Sequence, residues 1–350
     1  MATTETIPDS QNRQSGLKRS MSLVNSRSER GLKDDTRVHA TTTSSDEYEH
    51  RVCAQRFEWN VSERGQKSSS LTIVPQIEPC CFARQGSIFL LILVTSSPRQ
   101  FKIRNAIRET WASVSRVAGV SVRRVLTRFL LGRADPILER TQSWIEAENE
   151  QHGDILQGDF DDVYRNLTLK TIAGIEWAGR QCPAAAYVMK TDSDVFVNVD
   201  GIVRYLSNSS EQQHVTPFAV GDVAKGAKPI RNDVLKWYTS ESEYPQLTYP
   251  PFMKGPGYIV SSEVVRLLIE SFPRTPLFVW EDVYVGMCLK KLGIAPTADK
   301  RFETYAVDVV NGCSISRRFL IHGVKYYKMR SLWRMHTEAI KSNRCETKNT

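Results

Sequence analysis

Apolar runs of strand length alternate with stretches of helical periodicity along most of the chain. Residues 88–94 form an unbroken apolar run, which predicts a buried strand. Helical spacing follows, with Ile103, Ile107 and Trp111 at i, i+4 and i+8 on one face. Strand-like segments that alternate with helix-like ones are typical of an α/β domain with a mostly parallel sheet.

The same patterns place further elements along the chain. Strands are predicted at residues 124–131, 154–157, 186–191, 218–222 and 319–321. Helices are predicted at residues 101–113, 136–150, 164–178, 262–271 and 281–292. Residues 237–257 are rich in Tyr, Pro, Gly and Trp and lack a period. They are interpreted either as loops that form the wall of a sugar pocket or as a Pro-rich loop packed on the core.

Composition divides the chain into three parts. Residues 1–70 are polar, charged and poor in aromatics, so they are predicted to be a disordered tail. Residues 71–345 are predicted to form one folded domain, followed by a short C-terminal tail at 346–350. The longest apolar run, 88–94, is far shorter than the roughly 20 residues of a membrane span. The N-terminus also lacks the apolar core of a signal peptide.

Charge and cysteine content narrow the classes of partner and compartment. A net charge of +8 suits an anionic ligand, whereas the sequence has no dense Lys/Arg block with interleaved aromatics, which argues against nucleic acid. The chain has seven cysteines, none of them in a CxxC pair. Sequons occur at Asn60, Asn166 and Asn208. Scattered cysteines and sequons together favour the secretory pathway.

An acidic turn follows the strand predicted at 186–191. Asp192 and Asp194 flank Ser193 between two apolar segments. Ionised carboxylates in a buried site need compensation, and a divalent cation that also binds a diphosphate supplies it. The alternative is a solvated turn at the end of a strand. Because open α/β sheets bind ligands at strand ends, the position favours a ligand site.

Other charged positions have both a functional and a structural interpretation. Glu281 and Asp282 precede a predicted helix, where N-capping explains one acid easily and two less well. His322 ends a strand-like run and is either a metal ligand or a structural residue. Arg104 and Arg108 share a helix face, where they either face a phosphate or form structural salt bridges.

Taken together, these stretches resemble the β-1,3-glycosyltransferases of family 31, the galactosyl- and N-acetylglucosaminyltransferases related to fringe. The resemblance rests on ordered blocks at residues 104–111, 129–132, 153–171, 182–198, 249–261 and 281–294. It implies a GT-A fold, which is a Rossmann-like, mostly parallel sheet flanked by helices. It also implies an inverting, metal-dependent transfer of a hexose from a UDP-sugar in β-1,3 linkage to an acceptor glycan.

The resemblance assigns roles to individual residues. Asp194 and His322, with Asp192, are expected to hold Mn²⁺ or another divalent cation. Asp282 is expected to be the catalytic base, and Glu281 to orient it or to touch the sugar. The residues expected to bind the UDP-sugar are Arg104, Arg108, Lys190, Asp192, Ser193, Trp237, Tyr249, Gly255 and Gly257. Ser193 stands where the family's acidic triplet has its middle acid.

The same resemblance sets expectations for substrate, partners and compartment. Glu281 before Asp282 favours galactose, and the alternatives are N-acetylglucosamine transfer or a catalytically silent UDP- or glycan-binding homologue. The acceptor glycan is expected on a glycoprotein or glycolipid. Family members are anchored in the Golgi membrane and face the lumen, although no anchor is found in this sequence. Cys288 is expected to pair with Cys313, and Cys182 with Cys80 or Cys81.

Overall fold

A mostly parallel sheet of eight strands lies at the centre of the computed structural model, which describes residues 88–117, 123–135, 137, 140–212, 217–302 and 311–342. Its strands are β1 (Ile88–Thr95), β2 (Arg116–Val117), β3 (Arg123–Arg133), β4 (Ile155–Asp161), β5 (Tyr187–Asp192), β7 (Ala219–Ala224), β8 (Phe252–Ser261) and β9 (Thr297–Ala298). The spatial order is β2-β3-β1-β5-β8-β7-β9, and β4 also pairs with β3. Strand β8 runs antiparallel to both of its neighbours, and β2 runs antiparallel to β3.

Helices cover both faces of this sheet. They are α1 (Phe101–Arg108), α2 (Arg140–His152), α3 (Leu167–Gln181), α4 (Val199–Gln212), α5 (Ser262–Ser271), α6 (Glu281–Lys291), α7 (Gly312–Ser316) and α8 (Tyr326–Lys341). A separate antiparallel pair of strands joins β6 (Val195–Val197) to β10 (Leu320–His322). The result is the α/β architecture that the sequence predicts.

The position of strand β1 explains why its sequence is an unbroken apolar run. Leu91 and Leu93 pack into a core with residues of α3, α5 and α6. Leu90 and Ile92 pack into a second core with residues of α1 and α8. Because both faces of the strand are buried, every position is apolar rather than every second one.

Strand β8 is the main departure from the predicted elements, since its first half lies in the segment interpreted as loops. Pro and Gly in a sequence argue against a central strand. Here Gly257 makes the last backbone pair with β5, opposite Thr191, so Pro256 lies beyond that ladder and loses no hydrogen bond to it. The ladder with β7 also shifts register past Gly221. Helices α4 and α8 were likewise not predicted.

The cysteines correct one predicted pairing. Cys288 is a free thiol buried in α6, so the predicted Cys288–Cys313 bridge is wrong. Cys313 and Cys182 are each disulfide-bonded. Cys80 and Cys81, the predicted partners of Cys182, lie outside the described residues, as do the predicted tails at 1–70 and 346–350. No helix within the described ranges combines the length and the apolar character needed to cross a membrane.

Candidate active site

A large cleft lies where β1, β4 and β5 end. Its volume is about 1430 Å³, which exceeds the common range for small-molecule pockets and leaves room for two substrates. The floor comes from the segments that follow these strands, and the walls come from residues between 227 and 256, the start of α6 and the segment 322–326. Crevices at the carboxyl ends of parallel strands are the usual ligand sites of α/β sheets.

One end of the cleft holds Asp194 and His322. The antiparallel pairing of β6 with β10 places His322 opposite Val195, next in sequence to Asp194. Asp194 Oδ2 lies 3.6 Å from His322 Nε2. Burial raises the pKa of Asp194, and the charge of His322 opposes that rise. A neighbouring positive charge therefore stabilises the ionised carboxylate of Asp194.

The donor atoms of this pair fit a divalent cation such as Mn²⁺, which accepts carboxylate and imidazole ligands and leaves positions for substrate oxygens. Within the described ranges, no group of three or more His, Cys, Asp and Glu side chains is arranged to hold a metal ion. The role of Asp192 as a further metal ligand stays a prediction.

Asp192 is instead bound to a buried lysine. Its Oδ1 accepts hydrogen bonds from Lys190 Nζ and from Thr95 Oγ1, both at 2.8 Å. Lys190 also donates to the backbone oxygen of Gly255 at 2.7 Å and lies 3.3 Å from Glu281 Oε2. Burial lowers the pKa of Lys190, but the carboxylates of Asp192 and Glu281 outweigh it and raise the pKa above its ordinary value. Lys190 therefore does not line the cleft, but it holds in place three residues that do, Asp192, Gly255 and Glu281.

Asp282 and Glu281 lie side by side but have different surroundings. Glu281 is buried, and its Oε1 accepts a hydrogen bond from Tyr258 at 2.7 Å. Both residues line the cleft, and the carboxylate of Asp282 accepts backbone hydrogen bonds from Val283 at 2.9 Å and Gly255 at 3.2 Å. Burial, with the charge of Glu281, raises the pKa of Asp282 to about 6. Asp282 is therefore suited to accept a proton near neutral pH, and Glu281 to hold Lys190 and Tyr258.

Ser193 and its partner Gln100 bind the acidic turn to the loop after β1. Ser193 Oγ donates to Gln100 Oε1 at 3.0 Å, and the backbone nitrogen of Ser97 donates to the same oxygen at 2.8 Å. Both side chains line the cleft. The sequence drew attention to Ser193 but contained no signal for Gln100.

Arg104 and Arg108 do not line the cleft. Arg104 is fully buried and donates to both carboxylate oxygens of Glu148, at 2.8 and 2.6 Å. Arg108 donates to both oxygens of Asp154 at 2.8 Å. Arg104 also donates to the backbone oxygen of Ser97 at 2.6 Å, which fixes the loop after β1. The geometry matches the structural interpretation of this pair rather than nucleotide binding.

The aromatic and glycine residues expected to bind the donor have separate positions. Trp237 and Tyr249 both line the cleft. Trp237 is 51% exposed, whereas Tyr249 is buried and its hydroxyl lies 2.9 Å from Thr239 Oγ1. Gly255 lines the cleft. Gly257 does not, and a Cβ there would lie 2.6 Å from Leu320 Cδ1. The close approach at Gly257 therefore serves the packing of β8 on β10.

Two further residues of the cleft were missed from the sequence. Lys170 Nζ contacts both carboxylate oxygens of Asp162 at 2.9 Å and the backbone oxygen of Ser96 at 2.6 Å. This ion pair connects α3 to the segments that follow β1 and β4. The sequence shows that Asp162 lies in an acidic stretch, whereas its pairing with Lys170 is seen only in the fold.

A family model and the sequence relatives indicate one family. The galactosyltransferase family model matches residues 102–300, more than half of the chain. Beta-1,3-galactosyltransferase 5 of Pan troglodytes is 45% identical over 211 residues, which cover 60% of this chain and 68% of that protein. Beta-1,3-galactosyltransferase 1 of Mus musculus is 40% identical over 246 residues, which cover 70% of this chain and 73% of that protein.

A solved glycosyltransferase involved in the glycosylation of the major capsid of PBCV-1 aligns with a TM-score of 0.36 and 12% identity, over 71% of this chain and 99% of that one. The assignment to a family rests on the family model and on the two relatives. The chain therefore belongs to the galactosyltransferase family, among the β-1,3-galactosyltransferases of family 31.

Proposed function

We propose that this protein transfers galactose from UDP-galactose to a hydroxyl of an acceptor glycan, in β-1,3 linkage and with inversion at the anomeric carbon. The observation that carries the proposal is the placement of Asp282 in the same cleft as Asp194 and His322. Asp282 is suited to take a proton, and Asp194 and His322 are suited to hold a cation that binds a diphosphate.

In this mechanism the acceptor oxygen attacks the anomeric carbon of galactose while the bond from that carbon to UDP breaks. The acceptor proton passes to the carboxylate of Asp282. The backbone nitrogens of Val283 and Gly255 hold that carboxylate in a fixed orientation. A raised pKa of about 6 lets Asp282 be ionised at neutral pH and still bind a proton as the new bond forms.

The leaving group is a diphosphate, so the cleft must stabilise negative charge. Asp194 and His322 would hold the divalent cation, which supplies charge neutralisation when bound. Lys102 and Lys325 line the cleft, and the charge of Lys325 opposes the rise that burial causes in the pKa of Asp194. These side chains supply further positive charge for the phosphates of UDP.

A donor screen tests the proposed activity. The protein is incubated with Mn²⁺, either UDP-galactose or UDP-N-acetylglucosamine, and benzyl β-glycosides of N-acetylglucosamine, N-acetylgalactosamine, galactose and glucose. Nuclear magnetic resonance of the product is expected to show a β-1,3-linked galactose. Transfer of N-acetylglucosamine instead, or binding without transfer from either donor, contradicts the proposal.

Removing one cation ligand is expected to uncouple UDP binding from the metal. Asp194→Ala and His322→Ala are each expected to weaken UDP binding in Mn²⁺ by about 10-fold or more. Binding in EDTA stays at the wild-type level, because the lost contact runs through the cation. Isothermal titration measures both states, with Asp135→Ala at an exposed position as the control. Equal Mn²⁺-dependent affinity in variant and wild type would reject this ligand pair.

Residence in the Golgi lumen is part of the same proposal. The disulfide bonds of Cys182 and Cys313 support it, because such bonds persist in oxidising compartments. Peptide mapping of the protein from its native cells without reduction is expected to find both cysteines oxidised. Free thiols at both positions would contradict residence there.

A further inference from the structure

Three side chains at the mouth of the cleft form a surface that the mechanism above does not use. They are Tyr164, Lys236 and Trp237, here called the rim platform, and all three line the cleft. Trp237 Nε1 donates to the hydroxyl of Tyr164 at 3.1 Å. Lys236 Nζ lies 4.6 Å from the centre of the Tyr164 ring and 5.2 Å from that of Trp237. The hydrogen bond and the cation–π contacts hold the rings in a defined arrangement.

The exposure of this platform calls for an explanation. Tyr164 and Trp237 are each 51% exposed, although large aromatic side chains are usually well buried. Lys236 Nζ lies over both rings, and about half of the surface of each aromatic residue stays open to solvent. Aromatic rings that combine an apolar face with a polar edge suit a ligand that is itself apolar on one face and polar around its edge. A pyranose ring has that character.

Contacts place the rim platform beside the catalytic base. The ring of Tyr164 lies 6.3 Å from that of Trp280, which immediately precedes Glu281 and Asp282. Trp280 is fixed in turn, because its Nε1 donates to Thr239 Oγ1 at 2.7 Å. The cation ligands Asp194 and His322 depend on other elements, β6 and β10. The platform is therefore built onto the start of α6, the part of the cleft that carries Asp282.

Solvent access separates the two substrates. An activated sugar donor must be shielded from water, or hydrolysis competes with transfer. An acceptor glycan on a protein or lipid must instead enter from solvent and extend back out of the cleft. The half-exposed rim platform suits the second substrate, whereas Tyr249, which lines the same cleft, is buried.

We propose that the rim platform is the acceptor subsite, and that a sugar ring of the acceptor glycan stacks on Trp237 and Tyr164 so that its hydroxyl reaches Asp282. This inference rests on the proposed galactosyl transfer. It moves Trp237 from the donor site, where the family resemblance placed it, to the acceptor site. Lys236 donates hydrogen bonds to the hydroxyls at the edge of the same sugar.

Kinetics of Trp237→Ala test the assignment with both substrates varied. The acceptor is whichever benzyl glycoside of the panel above the wild-type protein galactosylates best. We expect the acceptor KM to rise about tenfold or more. The KM for UDP-galactose and the slow hydrolysis of UDP-galactose without acceptor stay within about twofold of wild type. Trp237→Phe, which keeps an aromatic face, recovers most of the acceptor affinity.

Trp144→Ala is the matched control, because Trp144 is 56% exposed on α2 and does not line the cleft. It is expected to leave both KM values unchanged. An acceptor KM within twofold of wild type in Trp237→Ala, or an equal rise in the donor KM, would overturn the inference.

A binding measurement separates this inference from the proposed reaction. Saturation-transfer nuclear magnetic resonance with the benzyl glycosides and UDP needs no turnover. If a glycoside binds to wild type and not to Trp237→Ala while no galactose is transferred, the subsite holds and the proposed reaction fails. If galactose is transferred and Trp237→Ala binds the glycoside as wild type does, the subsite fails and the reaction holds.

Discussion

Asp282→Asn is expected to lower the rate of galactose transfer by about 10³-fold, the usual scale for a general base. The substitution keeps the size of the side chain and an oxygen that can accept from Val283 or Gly255, but it removes the group that takes the acceptor proton. UDP affinity in Mn²⁺ stays near the wild-type value, because Asp194 and His322 are untouched. Initial rates and isothermal titration of the same preparation measure the two effects.

The fold of this variant can be checked by the direction of its stability change. Burial raises the pKa of Asp282 from 3.8 to about 6, so its ionised form destabilises the folded protein above that pH. Asn removes this cost, and the variant is expected to unfold at a temperature equal to or higher than wild type at pH 7.5. The gain disappears near pH 4, where Asp282 is protonated in the folded state.

A surface aspartate supplies the control for the rate. Asp159 lies on β4 and pairs with Arg133 in solvent. Asp159→Asn is expected to transfer galactose at the wild-type rate. Transfer by Asp282→Asn within tenfold of wild type would show that another group takes the proton.

Lys190→Met is expected to destabilise the protein by about 3–5 kcal/mol, the cost of removing one partner from a buried ion pair. Lys190 is almost fully buried, with 2% of its side chain exposed, and its ammonium group serves Asp192, Glu281 and the backbone oxygen of Gly255. Without it, two carboxylates face each other with no cation between them. Urea denaturation at pH 7.5 measures the change in the free energy of unfolding.

Two comparisons show whether the loss comes from the buried charge. Lys254 pairs with Asp222 but is 24% exposed, so Lys254→Met is expected to cost about 1 kcal/mol or less. Adding Glu281→Gln to Lys190→Met removes one uncompensated charge and is expected to restore part of the stability. A Lys190→Met variant as stable as Lys254→Met, or a double variant with purely additive loss, would contradict the role given to Lys190.

Much of the fold follows from local patterns in the sequence. The apolar run of β1 and the helix that starts at Glu281 are set by residues close together in the chain, and both form as predicted. Strand β8 does not follow from such patterns, because Pro256 is tolerated only where the ladder to β5 has already ended. Sequence alone does not reveal where a neighbouring strand stops.

The residues of the candidate site were likewise predictable from the sequence only in part. The roles of Asp194, Asp282 and His322 were expected from the family resemblance, and the fold brings the three residues to one cleft. The partners of Lys190 and Arg104 could not be recognised, since they lie on other elements of the chain. Cys288 was assigned to a bridge, yet its position inside α6 leaves it a free thiol. Residue type indicates what chemistry a side chain can perform, whereas its partners decide whether it performs catalysis or supports the fold.

The most direct test of the central claim, that a buried Asp282 takes the acceptor proton, is the pH dependence of galactose transfer. The base works only when ionised, so kcat/KM for the acceptor is expected to fall tenfold for each pH unit below about 6, the raised pKa of Asp282. Above that pH the rate levels off. A rate that stays constant from pH 7.5 down to the ordinary range of a solvated aspartate, near 3.8, would contradict the account.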